Sequence, residues 1–137
     1  MKTIANAQIT TDVPAQAFFE RWADMATWPE WNTDTEWVRL DGPFAAGSTG
    51  VLKPKGGPAT KFVIEKLTDR EFVDVSRLLG ARLTFHHTVS VVPQGTVVDV
   101  HVTLDGPLAR LWNLVLGKGI KKSLQPDLDR LVAVAGA

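Results

Sequence analysis

Three histidines, at positions 86, 87 and 101, are the side chains of this sequence best suited to proton transfer near neutral pH. His86 and His87 are adjacent within a β-rich stretch, Arg82 to Val92, whose alternation puts Leu83, Phe85, His87, Val89 and Val91 on one face. The other face carries Thr84, His86, Thr88 and Ser90. Thr96 to Leu104 repeats the pattern, with Val98, Val100, Val102 and Leu104 opposed to Asp99, His101 and Thr103. His87 is therefore a lone imidazole on a core face, placed to hydrogen-bond a ligand carbonyl or to act as a base. The competing role is structural, since an inward histidine is more often satisfied by a neighbour. His86 and His101 fall on the outer face, and no His-Glu-x-x-His spacing occurs, so no metal site is expected.

Asp74, Ser76 and Arg77 lie on another extended run, Phe72 to Leu78, whose inward parity the sequence leaves open. An inward Asp74 beside His87 would form an acid/base pair. An outward Asp74 would be surface charge, which is the preferred reading because carboxylates are seldom buried. Ser76 is a candidate polar contact inside an apolar pocket. The chain has neither cysteine nor tyrosine, which excludes disulfides, thiolate catalysis and phenol chemistry. There is no recognisable triad and no pair of carboxylates at a defensible spacing. Gly47-Ser48-Thr49-Gly50 and Gly117-Lys118-Gly119 lack the Lys-Ser/Thr ending and the strand-to-helix setting of a phosphate loop. Lys118, Lys121 and Lys122 are followed by Asp127 and Asp129 and read as a solvated helix face. No cofactor is expected.

The elements that must position these groups follow from period and punctuation. Residues 3 to 11 suit a partly buried opening strand, and Asp12-Val13-Pro14 starts a short helix that ends near Ala23. Trp28-Pro29-Glu30-Trp31-Asn32 predicts a second short helix and a turn, since the proline forbids a continuous one. Extended segments are expected over Thr35 to Leu40, Thr49 to Pro54, Thr60 to Leu67, Phe72 to Leu78, Arg82 to Val92 and Thr96 to Leu104. The turns Asp41-Gly42-Pro43, Lys55-Gly56-Gly57-Pro58, Leu79-Gly80-Ala81 and Pro93-Gln94-Gly95 divide them into a meander of hairpins. After Asp105-Gly106-Pro107, apolar residues from Leu108 to Val132 keep helical spacing. Gly117, Gly119 and Pro126 are expected to loosen or kink this helix midway.

Fifteen basic and fifteen acidic residues cancel, which leaves no net field for nucleic acid. At 137 residues and 45% apolar content, residues 1–137 are expected to form a single domain with one core. The N-terminal residues lack the apolar run of a signal peptide and no stretch approaches a membrane span, so a cytoplasmic protein without stable membrane insertion is expected. It is expected as a monomer or homodimer.

A strand, two short helices, about six further strands and a long amphipathic helix bury their apolar faces only if the sheet curls around that helix. The predicted class is thus α+β, a curved antiparallel sheet of six to seven strands wrapped around a long C-terminal helix. Concave apolar space is expected where sheet and helix diverge. Its lining is expected from Phe62, Ile64, Phe85 and Val100 on the sheet and from Trp112, Val115 and Leu116 on the helix. Trp28 and Trp31 could wall its mouth, although plugging the sheet edge is the favoured role.

Trp28-Pro29-Glu30-Trp31-Asn32, Asp41-Gly42-Pro43-Phe44 with Gly47 behind it, Leu78 to His87, and Gly106-Pro107-Leu108 occur in an order that resembles the START-like helix-grip superfamily. Within it, the sequence is similar to bacterial polyketide cyclase/dehydrase and lipid-transport proteins over nearly its whole length. The resemblance implies the helix-grip fold. Together with the apolar stripes it implies binding or carriage of a small lipid-, polyketide- or aromatic-like molecule, and together with the inward imidazole a cyclase or dehydratase using His87; a third alternative, from another class, is a stress or partner-binding module with a closed cavity.

Overall fold

The computed structural model describes residues 2–137. Seven strands form one antiparallel sheet in the order β1-β7-β6-β5-β4-β3-β2. They are β1 (Lys2–Thr11), β2 (Thr35–Asp41), β3 (Thr49–Pro54), β4 (Thr60–Leu67), β5 (Glu71–Leu78), β6 (Ala81–Val92) and β7 (Gly95–Asp105). Strands β2 to β7 are a continuous meander, and β1 closes the far edge on β7. Helix α1 (Ala15–Ala23) and a 3-10 helix (Met25–Glu30) follow β1, and α2 (Ala109–Ala135) ends the chain. This is the α+β sheet-and-helix architecture that the sequence pattern predicts, and the helix-grip fold that the resemblance implies.

Each predicted strand is present within a residue or two of its expected bounds, because glycines in the left-handed region, at Gly42, Gly80, Gly95 and Gly106, end the strands as the turn signals require. The expected loosening of the last helix is not found: α2 runs unbroken through Gly117, Gly119 and Pro126. Its inner stripe, including Leu116, Ile120, Leu124, Leu128 and Leu131, packs on the core and holds the helix together despite those residues. A register shift between Thr3 and Ala5 lets consecutive Ile4 and Ala5 both bury, where regular alternation would expose one.

Helix α2 lies mainly across β1, with further contacts to β7, β6 and α1. It therefore covers one half of the concave face. Over the other half, α1 and the 3-10 helix bring Phe18, Trp22, Met25 and Trp28 into the core. Around this core, residues such as Leu40, Leu52, Leu78, Phe85, Trp112 and Leu116 are only half-buried and pack against it.

Candidate functional site

β5 is the central strand, and its parity decides the site. Phe72 is fully buried against Trp22, so Asp74 and Ser76, two and four residues on, share the concave face. Asp74 stands opposite Ile64 on β4 and Phe85 on β6, and Ser76 opposite Phe62 and Leu83. The outward placement preferred from sequence is thus overturned: Asp74 is buried, with 7% of its surface exposed. The sequence misled because Val73 and Val75, on the convex face, are buried as well, so both faces of β5 are apolar.

His87 occupies the core face, as predicted, opposite Phe72 on β5 and Val100 on β7. Its Nδ1 lies 2.8 Å from the carbonyl oxygen of Phe72. A carbonyl can only accept, so Nδ1 carries the proton and Nε2 presents its lone pair. Phe72 stacks on the imidazole at 4.8 Å, Trp22 approaches at 4.9 Å, and Phe85 lies parallel to it at 6.4 Å. Trp22, on α1 and not among the predicted contacts, is thereby part of the site. Its i, i+4 spacing from Phe18 was the available signal.

Asp74 and His87 are diagonal neighbours across β5 and β6, and burial drives them in opposite directions. The Asp74 carboxyl is pushed up to about 7 by burial alone, with no partner among the described residues to hold its charge. Burial likewise lowers the His87 imidazole to about 4, against the opposing effect of the Phe72 carbonyl. Near neutral pH the wall holds a neutral histidine and a carboxyl divided between its two protonation states.

Two further polar groups lack partners. The indole nitrogens of Trp22 and Trp31 are sealed in the interior without an acceptor among the described residues. Trp28, by contrast, donates from Nε1 to the Trp22 carbonyl at 3.1 Å and packs its ring 5.5 Å from that of Trp31. Both Trp28 and Trp31 are buried, which agrees with their expected packing role and leaves the Trp31 N–H as an orphan donor.

The remaining predicted contacts separate. Phe62, Ile64 and Val100 are buried on the concave face, while Ser76 and Phe85 are half-buried there. Trp112 and Leu116 are half-buried on the facing side of α2, and Trp112 Nε1 donates to the Leu79 carbonyl at 2.7 Å. Val115 does not face the sheet, being 65% exposed. Apolar positions spread widely around the first half of α2, and the exposed Leu111 and Val115 form a row about 100° around the helix from the half-buried Trp112 and Leu116. Two open depressions, one of about 290 Å³ beside Lys2, Ile4 and Arg110 and one of about 390 Å³ beside Arg21 and Val134, contain none of the predicted contacts.

On the convex face His86 and His101 are register partners. Glu71 bridges His86 and Lys66, and Asn6 donates to Asp99 beside His101. Among the described residues no group of three or more His, Cys, Asp or Glu side chains is arranged to hold a metal ion. Nor is any described helix long and apolar enough to cross a membrane.

Residues 2–136 match the family model described as polyketide cyclase / dehydrase and lipid transport. The chain belongs to this family. Solved structures with the same fold include the di-domain ARO/CYC StfQ from the steffimycin biosynthetic pathway, at 12% identity and TM-score 0.76, over 98% of this chain and 51% of that one. The chain thus spans about half the length of StfQ. A hypothetical protein of Helicobacter pylori also has TM-score 0.76 at 12% identity, covering 96% of this chain and 86% of its own. The KanY protein, solved by NMR, has TM-score 0.73 at 14% identity and covers 97% of both chains. No curated protein matches the sequence. Family membership supports a ligand-binding or cyclase-like function.

Proposed function

We propose that the chain binds a small, mostly apolar molecule bearing a carbonyl or hydroxyl group, between the concave face of the sheet and α2. The observation that carries this reading is Asp74, an unpartnered carboxyl on the central strand. Burying such a group costs several kcal/mol unless something meets it, and a ligand carbonyl accepting from the protonated carboxyl, or a ligand hydroxyl donating to the ionised one, would recover part of that. Nε2 of His87 offers a second acceptor, and the half-buried Phe85, Trp112 and Leu116 offer apolar contact. Titration with a panel of fatty acids, aromatic polyketides and sterols, followed by tryptophan fluorescence, tests it. Saturable binding that weakens on Asp74→Asn or His87→Ala is expected; no response to any member of the panel contradicts it.

A second reading, a cyclase or dehydratase, is favoured by the opposite displacements of the two groups. Nε2 of neutral His87 can take the proton from a carbon next to a carbonyl, and the protonated fraction of Asp74 can give one to the hydroxyl one carbon further on, so that a C–H and a C–O bond break, a C=C bond forms and water leaves. Under this reading His87→Ala removes turnover of a poly-carbonyl substrate while binding persists. Under the carrier reading there is no turnover to lose.

A further inference from the structure

The first half of α2 turns a row of large apolar side chains to solvent. Leu111, Leu114 and Val115 are 55%, 82% and 65% exposed, and with Lys118 and Lys122 they follow i, i+3, i+4, i+7 and i+11 spacing along the outward side. Leu79, 80% exposed, joins them at the tip of the β5–β6 turn, where its carbonyl accepts from Trp112 on the first turns of the same helix. Isolated exposed leucines are ordinary, but a contiguous cluster at one end of a domain marks a contact surface.

The charge beside this cluster selects its partner. Between Pro107 and Pro126 the chain has four cations, Arg110, Lys118, Lys121 and Lys122, and no acid, although its charges cancel overall. None of the four makes an ion pair among the described residues. Beside the row, Lys2, Arg110 and Asn113 line an open depression of about 290 Å³. Asp105 at its edge is engaged by Arg82 at 2.8 Å. Leucines flanked by unpaired cations are the composition of a helix that rests in an anionic bilayer interface, apolar side chains in the acyl boundary and lysines among the headgroups.

We propose that the outward side of residues 111–122, with Leu79, docks the protein peripherally on a bilayer containing anionic lipid. This surface is separate from the concave site and does not depend on what that site binds. The test is co-sedimentation with vesicles of phosphatidylcholine alone and with about one-third phosphatidylglycerol, at low and high salt. Wild-type protein is expected to sediment with the anionic vesicles, and less so in high salt, which screens exposed charges. Lys118→Gln/Lys121→Gln/Lys122→Gln should weaken this by roughly 100-fold, and Leu114→Ser by roughly tenfold. Leu114 is exposed, so an unchanged melting temperature in Leu114→Ser would confirm that folding is intact. Absence of sedimentation by the wild type, or equal binding by Leu114→Ser, overturns the proposal. So does a concentration-dependent dimer in light scattering that Leu114→Ser splits, because the face is then covered by a second copy.

Discussion

Replacing Asp74 by asparagine keeps the shape of the side chain and removes its titration. Each tenfold change in proton affinity is worth about 1.4 kcal/mol, so raising this carboxyl from 3.8 to about 7 makes its ionised form roughly 4 kcal/mol costlier in the folded chain than in the unfolded one. Below about pH 4 the group is protonated in both states and the penalty is absent. From there to about pH 7 the unfolded chain ionises while the folded one keeps its proton, so stability falls as pH rises.

His87 works the other way over nearly the same range. Its imidazole is lowered from 6.5 to about 4, so the unfolded chain takes up a proton that the folded chain refuses, and stability falls by roughly 3 kcal/mol as pH drops through that interval. The two contributions oppose each other in the wild type. Asp74→Asn exposes the histidine contribution, and His87→Gln exposes the carboxylate one. Urea unfolding at pH steps from 4 to 8 is the assay, with unchanged m-values as the check on comparability. The stability of Asp74→Asn relative to wild type should climb by several kcal/mol between pH 4 and pH 7. A difference that stays flat across this range would mean that the buried carboxyl ionises without penalty.

Two backbone positions give further expected outcomes. Gly119 on α2 has open space where a Cβ would stand, so Gly119→Ala should stabilise by about 1 kcal/mol and raise the melting temperature by roughly 4 °C in calorimetry. At Gly50 a Cβ would lie 2.4 Å from the Arg39 carbonyl oxygen and 2.5 Å from the Phe62 ring, so Gly50→Ala should cost on the order of 2 kcal/mol in urea unfolding and displace that ring.

The fold was legible because its signals are local and agree with one another. Period-2 alternation in β6 and β7, glycine turns between strands and one long apolar stripe admit few arrangements other than a sheet curled on a helix. His87 was placed correctly by the same alternation. Asp74 was not, because Val73 and Val75 make β5 apolar on both faces, and only pairing with β4 and β6 decides which face is concave. Val115 failed for a related reason: apolar residues surround the first half of α2, so spacing alone cannot separate the row facing the sheet from the row facing solvent. The contact of Trp22 with His87 joins elements far apart in sequence, which no local pattern encodes.

Native mass spectrometry of the purified protein, with organic extraction and identification of whatever accompanies it, decides whether a small apolar ligand is held against Asp74 and His87. A stoichiometric apolar passenger bearing an oxygen function, lost from Asp74→Asn or His87→Ala, is the predicted result. A clean unliganded mass, together with no thermal shift across a lipid and polyketide panel, would contradict the account.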